Sequence, residues 1–96
     1  MNISMISVEE LDGIINNKNY IIVDVRDAGE YNRNHIPGAI HISMNQIRQA
    51  QFDKEKIVVL YCEHGGNSMV AARELARRGF RVKTLVGGMR AYMGRY

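Results

Sequence analysis

The chain has a single cysteine, Cys62, so no internal disulfide can form. No leader segment is recognisable at its start, where Met-Asn-Ile-Ser-Met-Ile has neither a basic flank nor a long apolar stretch. Together these features predict a reduced thiol in the cytoplasm. Long hydrophobic runs are also missing. The longest, Ile57-Val58-Val59-Leu60-Tyr61-Cys62, is far short of the roughly 20 residues that a transmembrane helix needs, so no membrane association is expected. Metal-ligand spacing is absent too: there is no Cys-x-x-Cys and no closely spaced histidine pair, and Cys62-x-His64 does not fill a tetrahedral site. Aromatic residues make up 7% of the chain. None is interleaved with the basic cluster Arg73, Arg77, Arg78, Arg81 and Lys83, which argues against nucleic acid and for a solvated face, or for a surface that meets an acidic protein acceptor. Repeats, linkers and low-complexity stretches are lacking.

What remains is ordinary for one compact domain. The 96 residues are 46% hydrophobic and 24% charged, and a chain of this length can bury a sufficient core without metal or disulfide staples. A single domain over residues 1–96 is therefore expected. Charge is uneven along it. Through Glu55 there are five basic and eight acidic residues, net −3, and from Lys56 onward eight basic and two acidic, net +6. The cysteine lies in the basic half, which suits an anionic substrate. The six methionines read as core filling.

Ser7-Val8-Glu9-Glu10 has the spacing of a capping box and predicts a helix with an apolar stripe of Val8, Leu11, Ile14 and Ile15. Tyr20–Val25 and Ile57–Tyr61 are apolar without polar alternation, as in strands covered on both faces. Short strands are also predicted at Ala39–Ile42 and Arg81–Val86. Further helical turns are expected within Asp27–Asn34, over Met44–Ala50, over Ser68–Arg78 with Gly79 ending it, and over Met89–Tyr96. Ile36-Pro37-Gly38 forces a bend between them. This alternation predicts an α/β fold in three layers, with a five-stranded, mainly parallel sheet, helices on both faces, and Tyr20–Val25 and Ile57–Tyr61 among the inner strands. Ligands in such sheets bind beyond the carboxyl ends of the strands, where Cys62 falls.

The segment Cys62-Glu63-His64-Gly65-Gly66-Asn67-Ser68 runs from a strand end into a helix. Paired glycines let backbone N–H groups curl around a sulfur or an anion, and the helix start adds further donors. Such a setting favours a thiolate. Asp24 and Arg26, at the end of the preceding strand, read as structural support, with Asp24 anchoring loop N–H groups and Arg26 pairing with Glu30. His35, before the Ile-Pro-Gly bend, reads the same way.

Four stretches in order carry a family resemblance: Asp24-Val25-Arg26 with Glu30-Tyr31, Asn34-His35-Ile36-Pro37-Gly38-Ala39, the loop from Cys62, and Leu85-Val86-Gly87-Gly88-Met89. Over nearly its whole length the sequence resembles the rhodanese-like sulfurtransferases. The resemblance implies an enzyme without a cofactor, in which Cys62 takes a sulfane sulfur from thiosulfate or a persulfide donor and passes it to a thiol or other nucleophile, with a protein among the acceptors. It implies that loop N–H groups from Glu63 to Ser68 stabilise the sulfur, so that Glu63, His64, Gly65, Gly66, Asn67 and Ser68 form the substrate site. Two positions depart from the family pattern. Asn67 stands where many active members carry arginine, and Glu63 where a cation is common, which weakens the expected hold on dianionic thiosulfate unless His64 is protonated. A cysteine phosphatase or arsenate reductase of related topology would need arginine at position 68, where Ser68 stands. The alternative is a non-catalytic module of the same family that binds a partner through its basic face or senses oxidants through Cys62.

Overall fold

Apolar runs without alternation become the middle of a sheet here because each contributes to two cores at once. A computed structural model describes residues 3–94. In chain order the elements are β1 (Ile3–Ile6), α1 (Val8–Ile14), β2 (Tyr20–Asp24), α2 (Ala28–Arg33), β3 (Ile40–His41), α3 (Met44–Ile47), β4 (Ile57–Tyr61), α4 (Gly66–Arg77), β5 (Arg81–Leu85) and α5 (Gly88–Met93). The sheet order is β1-β5-β4-β2-β3, and every pairing is parallel. The expected α/β class, five strands and inner positions of β2 and β4 are all present.

Residues of alternating parity go to opposite faces. Val23, Val58, Leu60 and Val82 pack with Ile47 of α3 and with Ala71, Ala72 and Leu75 of α4. On the other face Ile22, Val59, Tyr61 and Leu85 pack with Leu11 of α1 and Met89 of α5. Val58, Val59, Leu60 and Tyr61 are all buried, so β4 has no solvent face, as its composition requires.

Local signals set the ends of the elements. The Ser7 hydroxyl accepts the Glu10 N–H at 3.1 Å and the Glu10 carboxylate accepts the Ser7 N–H at 3.0 Å, closing the predicted box. These bonds to Ser7 hold the Glu10 carboxyl below its usual range. Gly79 ends the α4 segment at φ +90°, as expected.

Strands β2 and β5 each end one residue sooner than predicted, β3 is one residue shorter at each end, and three helices differ in extent. Helix α4 starts two residues earlier than predicted, at Gly66, because Gly65 serves as its N-cap. Helix α3 stops at Ile47, after one turn. Helix α5 runs Gly88–Met93, and the last two residues of the stretch predicted there lie outside the described residues. Strand β1, which alternation did not reveal, supplies the fifth strand by pairing with β5 from Ile3↔Val82 to Ile6↔Leu85. No helix among the described residues is long and apolar enough to cross a membrane.

Candidate active site

Parallel strands bring the ends of β2, β4 and β5 to one edge. Asp24 of β2 is in register with Tyr61 of β4, and Cys62 follows directly. Its residue is 4% exposed. The chain then turns through Gly65, whose φ of +117° is accessible to glycine, and enters α4. That turn brings the Gly65 N–H to 3.1 Å and the Ser68 N–H to 3.3 Å from the Cys62 sulfur. The Ser68 hydroxyl donates to the Gly65 carbonyl at 3.1 Å and locks the turn. Two N–H dipoles directed at one sulfur stabilise negative charge that a reaction places on it. Of the loop N–H groups from Glu63 to Ser68, these two reach the sulfur. His64, Gly66 and Asn67 are exposed, and Glu63 is half-buried.

The opposite side of the loop backbone is held by the chain after β5. The Met89 N–H donates to the Cys62 carbonyl at 2.8 Å and the Arg90 N–H to the Glu63 carbonyl at 3.0 Å. These groups are free to bond outward because the first N–H groups of a helix have no partner within it. Such proximity requires Gly88: a Cβ there would overlap the Cys62 carbonyl oxygen and stand 2.7 Å from that of Glu63. In the sequence Gly87-Gly88 marks only the family resemblance, and the structure adds its contact with the cysteine. Its signal was available, since Gly65-Gly66 and Gly87-Gly88 both follow strand ends, and parallel neighbours bring such ends together.

Beneath the loop lies a buried ionic pair. Arg26 is extensively bonded to Asp24: Nε lies 3.1 Å from both carboxylate oxygens and Nη2 lies 2.8 Å from Oδ2. The Arg26 backbone N–H donates to Asp24 Oδ1 at 2.8 Å, so Asp24 does anchor a loop N–H group. Arg26 does not pair with Glu30, contrary to expectation. Its remaining bonds go to the Asn34 carbonyl at 2.6 Å and, through Nη1, to Glu63 Oε1 at 3.3 Å. Glu30 is engaged elsewhere, since its carboxylate accepts the Asp27 N–H at 3.3 Å while Asp27 accepts the Glu30 N–H at 2.8 Å. Asp27-x-x-Glu30 is therefore the cap of α2.

Burial opposes the Arg26 charge, but the hydrogen bonds and charge of Asp24 more than offset it, raising its proton affinity above the usual arginine range. Tyr61 is also shifted upward, mainly by burial and further by the nearby Asp24 carboxylate. The Tyr61 hydroxyl accepts the buried Ile36 N–H at 3.1 Å. The Ile36-Pro37-Gly38 bend is thereby fastened to the strand that leads into Cys62.

The remaining sequence candidates lie around this centre. His35 stacks on Tyr31 with ring centroids 3.9 Å apart, and its Nδ1 is 2.9 Å from the Tyr31 carbonyl oxygen. The basic cluster divides. Arg78 donates to the carbonyls of Ile47, Arg48 and Ala50 beyond α3, Arg77 pairs with Glu74 at 3.2 Å, and Arg73 is exposed. A groove of about 280 Å³ between α3 and α4, lined in part by Met44, Ile47, Val70 and Ala71, does not include Cys62.

Comparison with known proteins agrees with this geometry. The family model of the rhodanese-like domain matches residues 7–95. A tRNA sulfurtransferase of Desulfurococcus amylolyticus is 46% identical over 84 residues, 88% of this chain, but the chain spans only 17% of that protein's length. The thiosulfate sulfurtransferase GlpE of Coxiella burnetii is 37% identical over 82 residues, which are 82% of this chain and 77% of the relative. A solved rhodanese-like domain protein from Staphylococcus aureus superposes with a TM-score of 0.85 at 30% identity, covering 93% of this chain and 90% of that one. The cysteine at the sheet edge, the loop that wraps it and the extent of these matches together place the chain in the rhodanese-like domain family.

Proposed function

We propose that the protein transfers a sulfane sulfur through a persulfide on Cys62, taking it from thiosulfate or a persulfide donor and giving it to a thiol or another nucleophile, including one on a protein. The observation that carries this reading is the pair of N–H groups of Gly65 and Ser68 directed at the Cys62 sulfur. In the first step the thiolate attacks the outer sulfur of the donor. A new S–S bond forms on Cys62, and the bond to the donor's leaving group breaks, releasing sulfite from thiosulfate or a thiolate from a persulfide. An acceptor thiolate then attacks the outer sulfur and restores the Cys62 thiolate. The loop amides stabilise sulfur anions at both stages, and His64, Gly66 and Asn67 form the exposed rim that meets the donor. Asp24 and Arg26 support the loop from below, while Glu30 and His35 hold α2 and the bend that follows it.

Sulfurtransferase relatives support the general activity. The donor follows from chemistry: Asn67 adds no charge beside the sulfur, so a persulfide, whose reacting sulfur carries less charge than thiosulfate, suits the loop better. Intact mass measurement after incubation with thiosulfate and with glutathione persulfide is expected to show a gain of about 32 Da. That gain is expected to be reversed by a thiol reductant and to be absent in Cys62→Ala. Absence of the adduct with each of several donors would overturn the reading.

A further inference from the structure

Both chain neighbours of Cys62 are tied to the same buried pair. On one side, Tyr61 is in register with Asp24 across β4 and β2, and the Arg26 guanidinium carbon stands 5.8 Å from the Tyr61 ring centroid. On the other, Glu63 Oε1 meets Arg26 Nη1 at 3.3 Å. The Arg26 side chain is 4% exposed, and its Nε and Nη2 are taken by Asp24 and the Asn34 carbonyl. Nη1 is thus the part of the fork that reaches the loop. With the Cys62 and Glu63 carbonyls fixed from the far side by the N–H groups of Met89 and Arg90, the backbone at the cysteine is gripped from both sides.

We propose that Glu63 is a positioning residue whose carboxylate, held by Arg26, keeps the Cys62 sulfur against the Gly65 and Ser68 N–H groups and stays out of the donor's path. This assignment rests on the transfer reading above and departs from the expectation that Glu63 contacts substrate. It also accounts for an acidic residue at a loop position where free negative charge would repel an anion. The carboxylate is drawn to a cation already buried beneath the loop, so its field on the donor side is partly cancelled. If Glu63 released Arg26, the loop would gain freedom at its second residue, and the sulfur would spend less time against its two N–H donors. Misplacement on that scale slows a positioned nucleophile more than it weakens binding.

The test compares wild type, Glu63→Ala and Glu63→Gln. The side chain is 37% exposed, so both variants are expected to fold, and thermal melts check this. Two readouts are used: the rate of Cys62 alkylation by neutral chloroacetamide, and steady-state transfer from thiosulfate and from glutathione persulfide to a small thiol. Glu63→Ala is expected to slow alkylation and kcat by about ten-fold, with KM within about two-fold of wild type. Glu63→Gln keeps an oxygen acceptor for Nη1 and is expected to recover most of that loss. Equal rates in all three proteins, equal losses in the two variants, or a fall in KM for thiosulfate in both would overturn the proposal. If wild type transfers no sulfur from either donor, the transfer reading fails, and the alkylation rates still decide how Glu63 acts on Cys62.

Discussion

Gly88 lies against the carbonyl oxygen of Cys62 so closely that no side chain fits between them. The cysteine of one strand–helix junction is thus braced by the backbone of the next, and the brace depends on a residue whose φ is +61°.

Gly88→Ala is therefore expected to destabilise the protein by about 2–4 kcal/mol, from the left-handed backbone together with overlap against two carbonyl groups. Urea unfolding measures the loss, and alkylation of Cys62 in the folded fraction is expected to change with it. Gly13→Ala is the contrasting case. Nothing lies within 4 Å of a Cβ at that position of α1, and a gain of about 0.4–1 kcal/mol is expected.

Tyr61→Phe removes the hydroxyl that accepts the Ile36 N–H in a region closed to water. Leaving that N–H unsatisfied is expected to cost about 1–3 kcal/mol at neutral pH. The pH dependence has a definite sign. Burial raises the Tyr61 phenol above its ordinary value of 10.0, so its contribution to stability is whole below pH 10 and is lost as pH rises toward the folded-state value. Over that alkaline range the wild type is expected to lose up to about 1.4 kcal/mol per pH unit relative to the phenylalanine variant. Denaturation curves collected between pH 8 and pH 11 test this, and parallel curves for the two proteins would refute it.

Asn67→Arg places a permanent cation at an exposed position of the first turn of α4. It is expected to increase the rate of sulfur loading from thiosulfate several-fold, and to do so less as salt is added. Loading from glutathione persulfide is expected to respond more weakly. A cation at a helix start opposes the helix dipole, so stability is expected to fall by about 0.3–1 kcal/mol. A folded variant with wild-type thiosulfate kinetics at low salt would show that charge beside the sulfur does not limit the reaction.

The basic cluster separates under alanine substitution. Arg78→Ala removes the donors to the Ile47, Arg48 and Ala50 carbonyls and a cation 5.2 Å from the Phe80 ring, with an expected cost of about 1–2 kcal/mol. Arg73→Ala, on the exposed side of the same helix segment, is expected to change stability by less than about 0.5 kcal/mol. Thermal melts of the two variants under one buffer distinguish them.

Much of this arrangement is written locally. The capping box at Ser7 and Glu10 needs only its spacing, β4 declares its burial by having no polar residue, and Cys62 followed by paired glycines marks a strand end that opens into a helix. Two features are not written locally, for different physical reasons. Arg26 has Glu30 four residues away, but the Asp27-x-x-Glu30 spacing already commits that carboxylate to the start of α2, and the local cap wins the competition. Besides Asp24 its carboxylate partner is Glu63, 37 residues distant, and only strand order brings those two together. Strand β1 is an edge in which Ile6 alone is buried, so its pattern of Ile-Ser-Met-Ile carries little of the signal that identified the inner strands.

That edge also has consequences for the order of assembly. Ser4 pairs with Lys83 across 79 residues, whereas β2 meets β4 with a shorter stretch of chain between them. During synthesis β2, β3 and β4 can associate while β5 is still being made, but β1 has no strand to join until its partner has emerged. Closing the longest loop for an edge strand with one buried residue carries a large entropic cost for a small return. The amides of β1 are accordingly the ones expected to exchange first with deuterated solvent, so the edge can open while the strands around Cys62 remain paired.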